Sequence, residues 1–411
     1  MNSTHNPDRF MADLRQILSQ GRKRIGFLVG AGAPMSIRIN NDRRLHAEGK
    51  PLIPGIEELT SIALADLSPE QRKAVDLLKE RIGGNPTIEN ILSQLRLMER
   101  ALGSEKMGGF DGAGYAELAK VICSSIGRVV GPQLPLDRCG YNELIGWISG
   151  TQRAHPIEIF TTNYDLLFED SFEQVRAPYF DGFSGGHTPF FDPVSVACDD
   201  LPPRWSRLWK LHGSLGWALE GNAVVRGRGR TTTELVYPDH LKYDLTQKQP
   251  YSSLFERLKQ FLLTPDTLLI TTGFSYRDAH INAVLDEALA GNANSAIFAF
   301  QFQSLASEEP ACALAYTRPN ISVYAADGAV INGIKGNWRL GELPKNWDDI
   351  RASFWGSRWH GSEPQFLLGD FQRLARFCAL AQAGDVFQQP QTIVVEASTE
   401  GRAEVAMEAL V

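Results

Sequence analysis

An open, doubly wound α/β fold with a mostly parallel sheet is what this sequence predicts. Three observations lead there. Short apolar runs recur along the 411 residues, helical patterns lie between several of them, and polar or glycine-bearing segments follow the runs directly. Strands buried on both faces read as continuous apolar runs, and strands alternating with helices require crossover connections.

The elements follow in order. Phe10, Met11, Leu14, Ile17 and Leu18 stand at helical spacing over residues 8–20, and Gly21 supplies a stop. Ile25-Gly-Phe-Leu-Val29 is the first strand and empties into Gly30-Ala-Gly32-Ala-Pro-Met-Ser36. Further strands are read at Ile157–Phe160, Leu208–Leu211, Leu268–Thr271, Ala296–Phe300 and Ile321–Tyr324. Roughly 120 residues separate the first strand from the second, far more than one crossover uses. Apolar periodicity near 56–66, 70–82, 88–102 and 114–130 fills that interval with helices.

The expected organisation is therefore a Rossmann-like domain from residues 1–39 and 151–335, a helical insertion over 40–150 forming a second small domain, and a C-terminal extension over 336–411. Residues 170–205, rich in Gly, Pro and aromatics, read as a structured loop. The extension carries one helical pattern near 364–383, with Phe366, Leu367, Leu368, Phe371, Leu374 and Phe377, and ends with the apolar run Thr392-Ile-Val-Val-Glu396. That helix reads either as ordinary core packing or as an oligomer or partner interface.

Composition narrows the function. A net charge of −7 argues against broad binding to a phosphate backbone. The one basic run, Arg226-Gly-Arg-Gly-Arg230, reads as a solvated turn or as an anion or partner contact. The opening MNSTHNPDRF lacks a secretory pattern, no stretch is apolar enough to span a membrane, and a cytoplasmic location is expected. Cys123, Cys139, Cys198, Cys312 and Cys378 are scattered, with no C-x-x-C pair, so neither disulfides nor structural zinc is expected.

Four segments carry candidate chemistry, each at a predicted strand end, where open α/β sheets bind ligands. Gly30-Ala31-Gly32 permits close approach of a phosphate, although G-x-G-x-x-G is only half met. Thr161-Thr162-Asn163-Tyr164-Asp165 is either a ligand-facing cluster or a turn capping the next helix. His212, in Lys210-Leu-His-Gly-Ser214, is a structural histidine or a general base. Gly273-Phe-Ser275 opens a helix as a second anion or ribose site, and Asp278 reads as that helix's cap.

Together, in this order, the four segments resemble the sirtuin family, which reads Gly-Ala-Gly, Thr-Gln-Asn-x-Asp, His-Gly and Gly-x-Ser. The resemblance covers about 20–330. Departures are equally informative: Thr162 replaces the family's Gln, the Gly-Ile-Pro-Asp-Phe-Arg segment is absent, and the four zinc cysteines are missing. In these respects the chain resembles the sirtuin-like NADases of bacterial anti-phage systems, and in length and C-terminal region the sirtuin-like partner of a HerA-type ATPase.

The resemblance implies NAD as substrate, no metal, a homo-oligomer and a HerA-type ATPase as partner. It implies that Gly30, Ala31 and Gly32 meet the pyrophosphate, and that Asn163 and His212 are catalytic. Asn163 would position the ribose hydroxyls and water, and His212 would be the base. Asp165, with Thr162 beside it, would lie near the nicotinamide carboxamide, and Gly273 and Ser275 would contact the adenosine ribose or phosphates. The expected reaction is hydrolysis of NAD to nicotinamide and ADP-ribose. Alternatives on the same fold are a protein deacylase, an ADP-ribosyltransferase, or a non-catalytic NAD-binding scaffold for the ATPase.

Overall fold

The computed structural model describes residues 3–221, 223–227, 229–230, 249–342, 347–358 and 362–382. Arg228 and the run Thr392–Glu396 lie outside the described residues.

Among the described residues, ten strands form the main sheet: β1 (Thr4–His5), β2 (Arg24–Val29), β3 (Glu158–Thr161), β4 (Tyr179–Phe180), β5 (Ser206–Lys210), β6 (Thr267–Thr272), β7 (Ala296–Phe300), β8 (Ile321–Tyr324), β9 (Gly328–Ile331) and β10 (Ile334–Trp338). Their spatial order is β1-β10-β9-β8-β7-β6-β2-β3-β5-β4. From β8 to β4 every pairing is parallel, whereas β9 pairs antiparallel with both β8 and β10. From β2 the chain builds outward through β3 to β5, then returns to the other side of β2 for β6. The strand order thus reverses between β2 and β6, which opens a crevice above their carboxyl ends.

The helices are α1 (Pro7–Gln20), α2 (Gly32–Ser36), α3 (Ile56–Ala65), α4 (Pro69–Ile82), α5 (Ile88–Leu102), α6 (Gly112–Val130), α7 (Gly140–Gly150), α8 (Leu167–Gln174), α9 (Pro193–Ala197), α10 (Tyr251–Leu263), α11 (Ala279–Gly291), α12 (Glu309–Thr317), α13 (Asp348–Phe354) and α14 (Phe371–Gln382). Local chemistry sets several ends. Asn6 caps α1 through the Asp8 amide, and Gly21 ends it at φ 63°. Ser68 and Gln71 form a reciprocal capping box before Pro69 at the start of α4.

Side chains of β2 alternate between two cores. Ile25, Phe27 and Val29 face one that includes Leu14 of α1, Trp147 of α7 and Leu374 of α14. Leu28 faces the other, with Leu258 of α10 and Ile281 of α11. Gly26 leaves room for the Phe261 ring, which an added Cβ would meet at 2.6 Å. Helices α3–α6 pack on one another, while α7 packs on α14 and α8. Buried residues of α3–α6, such as Ile91 and Ile122, continue the first core without a break.

The C-terminal segment differs from the expected helix over 364–383. Pro364–Phe366 is a strand paired with Trp355–Ser357, and the helix begins only at Phe371. Proline has no amide to donate, which suits a strand edge, and Asp370 Oδ1 accepts the Arg373 amide where the helix begins. All six apolar residues read as a possible interface are at most 3 % exposed, so their faces are spent inside the chain. The 170–205 excursion contributes β4, α9 and two strands of a four-stranded sheet made by Phe183–Ser184, Phe190–Phe191, Trp217–Glu220 and Ala223–Arg226. Arg226 and Arg230 of the basic run are paired with Asp181 and Asp170. Among the described residues, no helix is long and apolar enough to cross a membrane.

Candidate active site

Parallel register brings the four segments together. Val29 pairs with Thr161 and Thr272, and Thr161 pairs with Lys210. Gly30, Thr162, Leu211 and Gly273 therefore leave the sheet at one level, on either side of the crevice.

The two glycine loops lock into each other. Gly30 N donates to Thr272 O at 3.1 Å and Gly32 N to Gly273 O at 2.9 Å. A Cβ on Gly30 would meet Gly273 O at 2.4 Å, and one on Gly32 would meet Gly273 Cα at 2.6 Å. Gly273 itself sits at φ 61°, with Ala33 N 2.6 Å from where its Cβ would be. These glycines are required by contact between loops, a reason that the phosphate argument did not supply. Ala31 and Ser275 are exposed.

Asn163 is 9 % exposed, and its Nδ2 donates to Gly30 O at 3.0 Å, tying the second segment to the first. Its backbone amide donates to Thr161 Oγ1 at 3.1 Å, which fixes the turn after β3. Thr162 N donates to Val29 O at 3.2 Å, and its side chain is half-buried. Asp165 turns inward: it is buried, and its Oδ1 accepts the Leu167 amide at 3.0 Å at the start of α8. Burial pushes its carboxyl up to about 6, against the opposing pull of Lys210 and that amide. Lys210 Nζ donates to the Asp165 carbonyl and, at 3.1 Å, to Glu169 Oε1.

His212 lies at the crevice beside Tyr164, with ring centroids 6.5 Å apart. Its Nε2 stands 3.0 Å from Asp278 Oδ2, close enough for an ion pair, although oblique for an aligned hydrogen bond. Asp278 does cap α11, its Oδ1 accepting from His280 N at 2.8 Å and Ile281 N at 3.1 Å. Its second oxygen faces the histidine, a contact that the sequence reading missed. Burial works against ionisation of Asp278, but His212 and the two amides outweigh it and hold the carboxyl at about 2.

Glu89, in the first turn of α5, was also missed. Burial pushes its carboxyl up, while His212 draws it down and Asp278 raises it, so α5 brings a buried carboxyl within electrostatic range of the histidine. In the sequence it was indistinguishable from the acidic residues common at helix starts. Two buried hydroxyls close the list: Ser214 Oγ, two residues after His212, and Thr272 Oγ1, at the end of β6, have no hydrogen-bond partner among the described residues. Buried polar atoms are normally satisfied, and Thr272 stands at the strand end that borders the crevice. Among the described residues, no group of three or more His, Cys, Asp or Glu is placed to hold a metal ion.

Comparison with curated proteins finds no match. Residues 157–321 match the SIR2-like domain, a span that takes in Asn163, His212 and Gly273 and leaves out the Gly30 loop. SIR2-like domains are as a rule NAD-dependent enzymes, and this match, together with the mostly parallel sheet and its crevice, supports a sirtuin-like family and NAD binding for the chain.

Proposed function

We propose that the chain is an NAD hydrolase that cleaves the bond between nicotinamide and ribose. The observation that carries this reading is that Asn163 and His212 follow the adjacent strands β3 and β5 at one level of the sheet, Asn163 tied to the Gly30 loop and His212 standing against Asp278 at the head of α11. Nicotinamide departs from a cationic ring, so its nitrogen needs no proton. The C1′–N bond breaks with its electron pair returning to the ring, and the ribose passes through a state resembling an oxocarbenium ion. Water then bonds to C1′ and loses a proton to His212, giving neutral nicotinamide and ADP-ribose.

In this reading Asn163 positions the ribose hydroxyls and the water. The Gly30-Ala31-Gly32 loop faces the pyrophosphate through its exposed turn at Ala31. Thr162 borders the nicotinamide end, with Asp165 holding the turn behind it from within, and Gly273 and Ser275 border the adenosine end. Absence of zinc-module cysteines favours hydrolysis over deacylation, because that module helps form the peptide cleft in deacylases. We further propose that the activity serves anti-phage defence by depleting NAD, in a homo-oligomer partnered by a HerA-type ATPase. That part rests on the resemblance.

The test is to incubate the purified protein with NAD, alone and with a HerA-type ATPase, and to follow nicotinamide and ADP-ribose by chromatography. Asn163→Ala and His212→Ala should each lower release by at least about 10²-fold, in keeping with loss of a general base or a positioning group. Near wild-type release by either variant, in a folded protein, would remove these residues from the mechanism. NAD binding without release by the wild type would favour the scaffold reading.

A further inference from the structure

We propose that Asp278 is a positioning residue for His212, holding its Nε2 protonated so that Nδ1 is the nitrogen that accepts the proton. The proposal deepens the hydrolase reading and rests on it for the identity of the proton donor. The carboxylate is itself fixed, since Oδ1 is engaged by the His280 and Ile281 amides at the start of α11, at 2.8 and 3.1 Å. It cannot turn away without uncapping a 13-residue helix. That leaves Oδ2 3.0 Å from His212 Nε2, in an oblique contact. An ionised aspartate only accepts, so a hydrogen shared across this 3.0 Å contact is carried by the imidazole.

In a neutral imidazole one nitrogen donates and the other accepts, and the partner of one decides the role of the other. With Nε2–H directed at Asp278, Nδ1 carries the lone pair. When Nδ1 takes the proton from water or a ribose hydroxyl, the imidazolium charge is shared with Asp278. The oblique contact suits a site awaiting substrate, because such bonds are often poorly aligned before the complex forms. Other groups facing the ring are Glu89 from α5 and Tyr164 from the turn after β3. Glu89 brings a buried carboxyl from the insertion side, whereas among the described residues Asp278 alone has an oxygen at ion-pair distance from Nε2.

The experiment compares wild type with Asp278→Asn and Asp278→Ser. Both replacements retain a side-chain oxygen for the α11 cap and remove the carboxylate. The readouts are the 15N resonances of His212 in the free protein and the steady-state rate with NAD. In the wild type, Nε2 should carry the proton. In Asp278→Asn the proton should move to Nδ1, because the amide can present its NH2 to Nε2. In both variants kcat should fall by about 10²–10⁴-fold with KM nearly unchanged, the signature of a misplaced proton rather than weakened binding. Wild-type protein with its proton on Nδ1, or an Asp278→Asn variant with unchanged tautomer and rate, would overturn the proposal. The resonances are read without NAD, so they decide the role of Asp278 even if NAD is not hydrolysed.

Discussion

Gly30→Ala separates two explanations of the same glycine. The residue is buried at the end of β2, and an added Cβ would lie 2.4 Å from Gly273 O, 2.8 Å from Phe274 Cα and 3.0 Å from Gly273 C. All three are backbone atoms, so no side-chain rotation relieves the overlap. The opposing loop must retreat, which pulls on the 3.1 Å bond from Gly30 N to Thr272 O and the 2.9 Å bond from Gly32 N to Gly273 O. Overpacking of this kind costs about 1–3 kcal/mol, and a weakened hydrogen bond adds ~1 kcal/mol. The expected loss is therefore about 2–4 kcal/mol, a fall of several degrees in Tm for a chain of this size. The assay is thermal unfolding with no nucleotide present. Gly186→Ala serves as control, because nothing lies within 4 Å of its Cβ position. If Gly30→Ala melts like the wild type and loses only its stabilisation by NAD, the glycine serves phosphate approach and the loop-contact argument is wrong.

Two further predictions concern the opposite end of the strands and the inward-turned acid. Arg257 grips the buried Glu158 with Nε at 2.8 Å and Nη2 at 2.6 Å, so Arg257→Met should cost about 3–5 kcal/mol by stranding a buried charge. Adding Glu158→Gln should recover much of that in urea unfolding, and no recovery would refute the ion-pair account. Asp165, pushed up to about 6, binds a proton more tightly folded than unfolded. Its stabilising contribution is complete below about pH 4 and lost as pH rises through about 6, a fall of ~3 kcal/mol at ~1.4 kcal/mol per tenfold. Asp165→Asn should flatten stability across that window, and an unchanged slope between pH 4 and 7 would count against it.

Much of the sheet was legible because its central strands are buried on both faces. Arg24–Val29 and Thr267–Thr272 carry almost unbroken burial, which leaves a plain apolar run in the sequence. Edge elements were less visible: β1 and β4 are two-residue strands, and the β9–β10 hairpin reverses direction with no helical crossover to announce it. Helix α7 went unread because its apolar residues face α14, far along the chain, and the core beneath β2.

The candidate site divides in the same way. By itself the sequence determined that four polar or glycine segments follow four strands, because strand ends and turn chemistry are local. That was enough to single out Gly30, Asn163, His212 and Gly273. Only the tertiary structure decided which of them touch. Strand order puts Gly30 against Gly273, and register carries Asn163 to the Gly30 carbonyl. The docking of α11 and α5 sets Asp278 and Glu89 around His212. These residues are separated by 66 to 189 positions in the chain, and no local propensity encodes such pairings. They are fixed by which strands lie side by side, a choice made by burial of the whole sheet.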